Sequence, residues 1–300
     1  MSHDKENKIK DISDDEVRII GTTTASGNDG NDKRRKWYII GALCAALVIV
    51  LLVLILTHHD NTTDTANSMP LTTDGTATED SSVNDVWYAN SDNSGRAHVT
   101  RRDTVVAGMH LSLMTPYNAT PELSVGELNS NDKSIILALQ AADIRRDNGG
   151  IVGAFVLKGE PLAWSLSKKG FCAIINDRMI IGVADNSPYF EQTAEQGGYF
   201  FRQFPLVDRG QACESEQTKK AARRALCSIN DEVVIVLCHD KVLMTDFAKA
   251  LAQLGAYNAI YLVGGDAHGI YLDDTDGQTH KIGEKWSKKM KNVNYLIFRS

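Results

Sequence analysis

The densest run of chemistry-bearing residues is 254–269 (LGAYNAIYLVGGDAHG), which reads as a helix end, a turn, an apolar strand and a glycine-rich loop. Gly264 and Gly265 allow a sharp turn and a close approach of backbone to ligand. Asp266 and His268 project from this loop at a strand end, where a rigid scaffold commonly presents functional groups. Such a pair can act as general acid and base once its surroundings tune it. The plainer reading is a tight turn with solvated polar residues, and composition alone favours it.

Three further places carry candidate groups. Arg223-Arg224 opens a strand, where a guanidinium fork can clamp a phosphate or carboxylate; the alternative is an exposed basic pair. His239-Asp240 stands at a strand end and either faces the same cleft or forms a turn. Ser187-Pro188-Tyr189-Phe190-Glu191, followed by the aromatic run 199–201, offers ring faces to a sugar and Glu191 as a carboxylate partner. Packing of Phe200 and Phe204 into a core is the alternative there. The chain has no nucleophile elbow, HExxH, P-loop or dinucleotide fingerprint. No Cys/His spacing suggests a metal site, and no cofactor is expected.

The elements that must position these groups follow from pattern. Residues 133–146 (KSIILALQAADIRR) carry apolar residues at near-helical spacing, with Asp132 as a cap and Gly149-Gly150 as a stop, which predicts a helix. A second helix is expected over 246–254, capped by Thr245 and ended by Gly255, with Phe247, Ala248, Leu251 and Leu254 on one stripe. Strands are expected at 151–157, 171–175, 179–183, 199–204, 224–229, 233–238, 259–263, 270–272 and 294–298. Asn176-Asp177 and Asn230-Asp231 mark hairpin turns. The fold class is α+β: a largely antiparallel or mixed sheet with a few packed helices.

Residues 221–269 resemble the core of the phosphodiester glycosidase family. Arg224-Ala225-Leu226-Cys227-Ser228-Ile229 resembles the family's Arg-started strand, and residues 233–239 resemble its hairpin partner. Residues 246–251 resemble its helix, 258–262 the strand entering a Leu-Asp-Gly-Gly-Gly-Ser loop, and 292–299 its closing strand. The resemblance implies a sugar-phosphodiester substrate, with Arg224 holding phosphate, Gly264 and Gly265 shaping a sugar pocket, and Asp266 or His268 handling a proton. His239 and Glu191 are further substrate-binding candidates. The loop departs from the family at Val263, where the family has Asp; an isopropyl group neither exchanges a proton nor binds a sugar hydroxyl. The family's Asn-Gly-Gly-Phe-Phe signature has only Asn148-Gly149-Gly150, or Gly153-Ala154-Phe155, as a counterpart.

Topology bounds where this chemistry operates. Residues 37–57 run without a charge directly after Lys33-Arg34-Arg35-Lys36; as a helix they span about 31 Å, the thickness of a bilayer's apolar core. The basic cluster predicts a cytoplasmic N-terminus and an extracytoplasmic, periplasmic remainder. The expected organisation is a polar cytosolic tail (1–36), a single-pass transmembrane helix (37–57), a polar stalk (58–99) and a folded domain (100–300). The chain carries 32 Lys and Arg against 38 Asp and Glu, which argues against nucleic acid as a partner. The expected partners are the lipid bilayer and a carbohydrate or sugar-phosphate ligand. An oxidising space permits disulfides among Cys172, Cys213, Cys227 and Cys238, although three of these sit in apolar runs and read as buried strand residues. Two functions remain in view: hydrolysis or binding of a sugar phosphodiester in envelope glycan, and a non-catalytic glycan- or envelope-protein-binding module.

Overall fold

The computed structural model describes residues 86–283 and 292–300. β1 (His98–Val106) and β2 (Met109–Tyr117) form a hairpin, followed by β3 (Thr120–Val125) and β4 (Ile135–Gln140). β5 (Ala154–Leu157) turns into β6 (Glu160–Trp164), and β7 (Gly170–Ile175) into β8 (Arg178–Val183). Helix α1 (Tyr189–Glu195) leads to β9 (Tyr199–Gln203), β10 (Pro205–Asp208) and β11 (Gln211–Ala212). β12 (Arg224–Ile229) and β13 (Glu232–Cys238) precede helix α2 (Met244–Gln253) and β14 (Ala256–Leu262). β15 (Gly269–Leu272), β16 (Thr279–Ile282) and β17 (Asn294–Arg299) complete the chain.

These strands make three antiparallel sheets: β1-β2-β13-β12-β14-β10-β11, β16-β15-β4-β17-β3 and β6-β5-β9-β7-β8. With two helices among the described residues, the fold is α+β but mostly β. Alternation along a strand sends β12 into two cores. Leu226 joins Ile235, Leu262, Phe155 and Leu296 between the sheets, whereas Ala225 and Cys227 face Phe247, Ala248 and Leu251 of α2. Asn176 (φ 49°), Asp177 (φ 60°), Asn230 (φ 50°) and Asp231 (φ 63°) all adopt the left-handed region that a two-residue hairpin turn requires, at the two expected sites.

The expected helix over 133–146 is instead β4. All six of its residues are buried, because β15 and β17 flank it and both of its faces are covered. A strand hidden on both faces is apolar throughout and cannot be told from a buried helix by periodicity. Asp132 does not cap a helix. Its carboxylate accepts the backbone N–H (3.0 Å) and hydroxyl (2.8 Å) of Ser134 and pairs with Arg299 at 2.7 Å. The stretch 187–191 runs into α1, and Thr245, expected to cap α2, lies inside it, its hydroxyl donating to the Ser215 carbonyl at 3.3 Å. Gly255 (φ 94°) ends α2 as expected.

Residues 37–57, expected to cross a bilayer, lie outside the described residues. Among the described residues no helix is long and apolar enough to cross a membrane. The packed structure reaches back to Tyr88, which is buried and exchanges backbone hydrogen bonds with Met179 at 2.7 and 2.8 Å. Cys172, Cys213, Cys227 and Cys238 are free thiols, with Cys172 and Cys227 wholly enclosed; burial pushes both well above the ordinary thiol range.

Candidate functional site

Arg224 begins β12, opposite Leu237 on β13 and Leu262 on β14. Its side chain runs beneath the glycine loop that leaves β14, and it is only 5% exposed. Nη1 donates to the carbonyls of Ala267 (2.7 Å) and Val263 (3.3 Å), and Nη2 to that of Gly265 (3.3 Å). The guanidinium therefore holds the loop in shape through its own backbone. Loss of hydration lowers the Arg224 pKa to about 10, against the opposing attraction of Tyr261 and Asp266.

The glycines are required here for different reasons. A Cβ on Gly264 would lie 2.4 Å from the Ala222 carbonyl oxygen, so the strand-to-loop crossing is too tight for any side chain. Gly265 adopts φ 58° and donates its N–H to that same carbonyl at 2.9 Å. The Gly264 N–H donates to the Tyr261 hydroxyl at 3.0 Å, and the Val263 N–H to the Gln140 carbonyl at 3.1 Å. Gly283 crosses the outer side of the turn so closely that a Cβ there would meet the Ala267 oxygen at 2.2 Å. Of the two loop residues with proton chemistry, Asp266 is exposed and His268 is buried.

Near Tyr261, on which the Asp143 charge acts, lies a buried polar group absent from the sequence expectations. Lys168 and Asp143 form an ion pair with side chains 4% and 6% exposed. Lys168 Nζ also donates to Gln203 Oε1 at 2.9 Å and sits 4.5 Å from the centre of the Phe204 ring. Gln203 Nε2 donates to Asp143 Oδ2 (3.0 Å) and to the Ala141 carbonyl (3.3 Å). Arg202, 1% exposed, donates to the carbonyls of Lys168 (2.7 Å) and Ala184 (2.9 Å), and burial lowers its pKa. The one available signal was Arg202-Gln203 set inside the aromatic strand YFFRQF, a placement that an ordinary core strand avoids.

His239 is not at the glycine loop. It lines an open cavity of about 490 Å³ at the tip of the β1–β2 hairpin, together with Arg101, Asp103, Thr104, Val105 and Leu111. Its Nε2 lies 2.7 Å from the Ser112 hydroxyl, and Asp240 is paired instead with His110 at 3.1 Å. Glu191 is elsewhere again, exposed on α1, where its charge is felt by Arg202. Arg224 on β12 is thus brought to the loop that carries Gly264, Gly265, Asp266 and His268, while His239 and Glu191 belong to other surroundings. Among the described residues no group of three or more His, Cys, Asp or Glu side chains is placed to hold a metal ion.

A family model described as phosphodiester glycosidase matches residues 133–298, from β4 to β17. No curated protein matches the sequence. Among solved structures, the catalytic domain of zebrafish N-acetylglucosamine-1-phosphodiester alpha-N-acetylglucosaminidase, auto-inhibited by its pro-peptide, is similar with a TM-score of 0.52 and 13% identity. That similarity spans 71% of this chain and 87% of the zebrafish one. A hypothetical protein from Synechocystis is similar with a TM-score of 0.47 and 13% identity, over 67% of this chain and 62% of its own. At this identity the zebrafish likeness speaks to the fold.

Proposed function

The chain belongs to the phosphodiester glycosidase family, and from that membership we propose that its folded part binds a sugar phosphodiester of envelope glycan at the glycine loop. The observation that carries this reading is the Arg224-braced loop, with Asp266 left exposed on it. Arg224 supplies positive charge directly beneath the turn, in surroundings where loss of solvent strengthens its field. Gly265, half-buried with open space where a Cβ would stand, lets a ligand approach the backbone, and Asp266 accepts hydrogen bonds from sugar hydroxyls. The departure at Val263 favours binding without turnover, because the family's loop carboxylate is replaced by a group with no proton to exchange.

Hydrolysis is the second reading, favoured by one observation: the Asp266 charge acts on Arg224, so an exposed carboxylate stands near the braced cation. Asp266 would then be the proton-exchanging group, with His268 behind the loop as the other candidate. Incubating the full chain with a panel of sugar phosphodiesters separates the two. Binding without product, weakened by Asp266→Asn, supports the first reading, and product that disappears in Asp266→Asn supports the second. Absence of both binding and product would remove the glycine loop from consideration.

The location belongs to the same proposal. The basic cluster at 33–36 followed by the uncharged run 37–57 supports a single-pass anchor with the folded part outside the cytosol. A membrane-impermeant thiol reagent, applied to intact cells with a cysteine introduced at exposed Asp177, should label the protein. Labelling only after lysis would reverse the orientation.

A further inference from the structure

The cavity at the β1–β2 tip belongs to a part of the chain that precedes the family-matched residues on two of its walls. Its polar groups form one connected chain. The Arg101 guanidinium pairs twice with Asp103 (Nε to Oδ1 and Nη2 to Oδ2, both 3.1 Å) and donates from Nη1 to the Tyr271 hydroxyl at 2.9 Å. The Ser112 hydroxyl donates to Asp103 Oδ1 at 2.5 Å and lies 2.7 Å from His239 Nε2. Because the hydroxyl proton goes to an acceptor-only carboxylate, Nε2 must be the donor in the second bond. In the neutral ring this leaves Nδ1 as an acceptor, on an exposed side chain that lines the cavity. Ser112 itself is wholly buried, so it bridges and orients rather than attacks. Its position argues for use, since Met114 and Leu237 beside it on the same sheet face are apolar core residues. A polar residue placed there without a role would weaken that core.

The charges select the class of ligand. Arg101 is already neutralised by Asp103, and His110 and Asp240 neutralise one another when the ring is protonated, so the cavity offers no surplus cation for a phosphate. Both carboxylates already accept two or more hydrogen bonds and leave no cage for a metal ion. What remains is a set of fixed polar groups beside the exposed apolar side chain of Val105, which suits a neutral, hydroxyl-rich molecule. We propose that this cavity is a second binding site, separate from the glycine loop, which takes a neutral sugar. In it His239 Nδ1 accepts a ligand hydroxyl, and Asp103 and Ser112 act as positioning residues. The site does not depend on any activity at the glycine loop.

The test uses the full chain in a zwitterionic, sugar-free detergent, with N-acetylglucosamine and methyl mannoside as neutral probes and inorganic phosphate as the anionic one. Saturation-transfer NMR and calorimetry should detect at least one sugar. Affinity should fall at least tenfold in His239→Ala and about threefold in Ser112→Ala, and stay unchanged in Asp266→Asn. The imidazole ¹⁵N shifts of His239 should report an Nε2–H tautomer that Ser112→Ala mixes, a change that a merely structural serine would not produce. Failure of both sugars to bind, equal binding by His239→Ala, or a preference for phosphate overturns the site. The Asp266→Asn arm keeps this result distinct from the fate of the phosphodiester reading.

Discussion

The glycine loop and the β1–β2 tip are built on one row of the seven-stranded sheet, and they treat charge in opposite ways. Asp103 pairs with Ser112, Ser112 with Leu237, Leu237 with Arg224 and Arg224 with Leu262, so these side chains share a face. Two strand spacings separate Ser112 from Arg224, about 10 Å. At the loop, the cation is enclosed and its protons go to backbone carbonyls of the same chain. At the tip, the charges pair with one another at the surface and end on an exposed imidazole. An enclosed charge with fixed partners determines shape, and its loss is felt as instability. An open chain of polar groups determines recognition, and its loss is felt by a ligand.

The enclosed cation at Arg224 carries the largest expected effect. Arg224→Ala leaves three carbonyls without their shared donor, and should destabilise the fold by about 3 kcal/mol in urea unfolding. A change under about 0.5 kcal/mol would show that the loop holds itself. Gly264→Ala forces a Cβ against the Ala222 oxygen and should cost about 2 kcal/mol, read as a lower unfolding midpoint with an unchanged slope. Substitutions at the tip sharpen the contrast from the other side: His239→Ala should stay within about 0.5 kcal/mol of the parent, since the side chain is exposed.

The smallest effect concerns acid. Arg299 beside Asp132, helped by Ser134, holds the Asp132 carboxyl at about 2 against an ordinary value of 3.8. A carboxyl lowered on folding stabilises above its unfolded value, so this contribution is complete above pH 4 and is lost as pH falls toward 2. Asp132→Asn should therefore lower the neutral plateau slightly and leave stability near pH 2 unchanged, so that the acid limb of the stability profile flattens.

Hairpins were legible because a turn is local: Asn176-Asp177 and Asn230-Asp231 tolerate the left-handed backbone, and both turns form where expected. Helix α2 was legible because one face is apolar and Gly255 stops it, although its first residue was displaced. β4 was not legible, since Ile135 to Gln140 owe their conformation to β15 and β17, which arrive from more than a hundred residues away. The buried Lys168–Asp143–Gln203 group was not legible for the same reason: each residue alone looks like an ordinary surface side chain.

From its own residues the chain determined its turns, the glycine loop with Asp266 exposed upon it, and the strand that Arg224 opens, because these depend on neighbours within a few positions. Tertiary structure alone decided that Arg224 braces that loop and that His239 is drawn to Ser112 and Asp103 instead. Such pairings form only when distant strands align, and alignment depends on which faces become buried together, a property of the packed sheets and not of any short stretch of sequence.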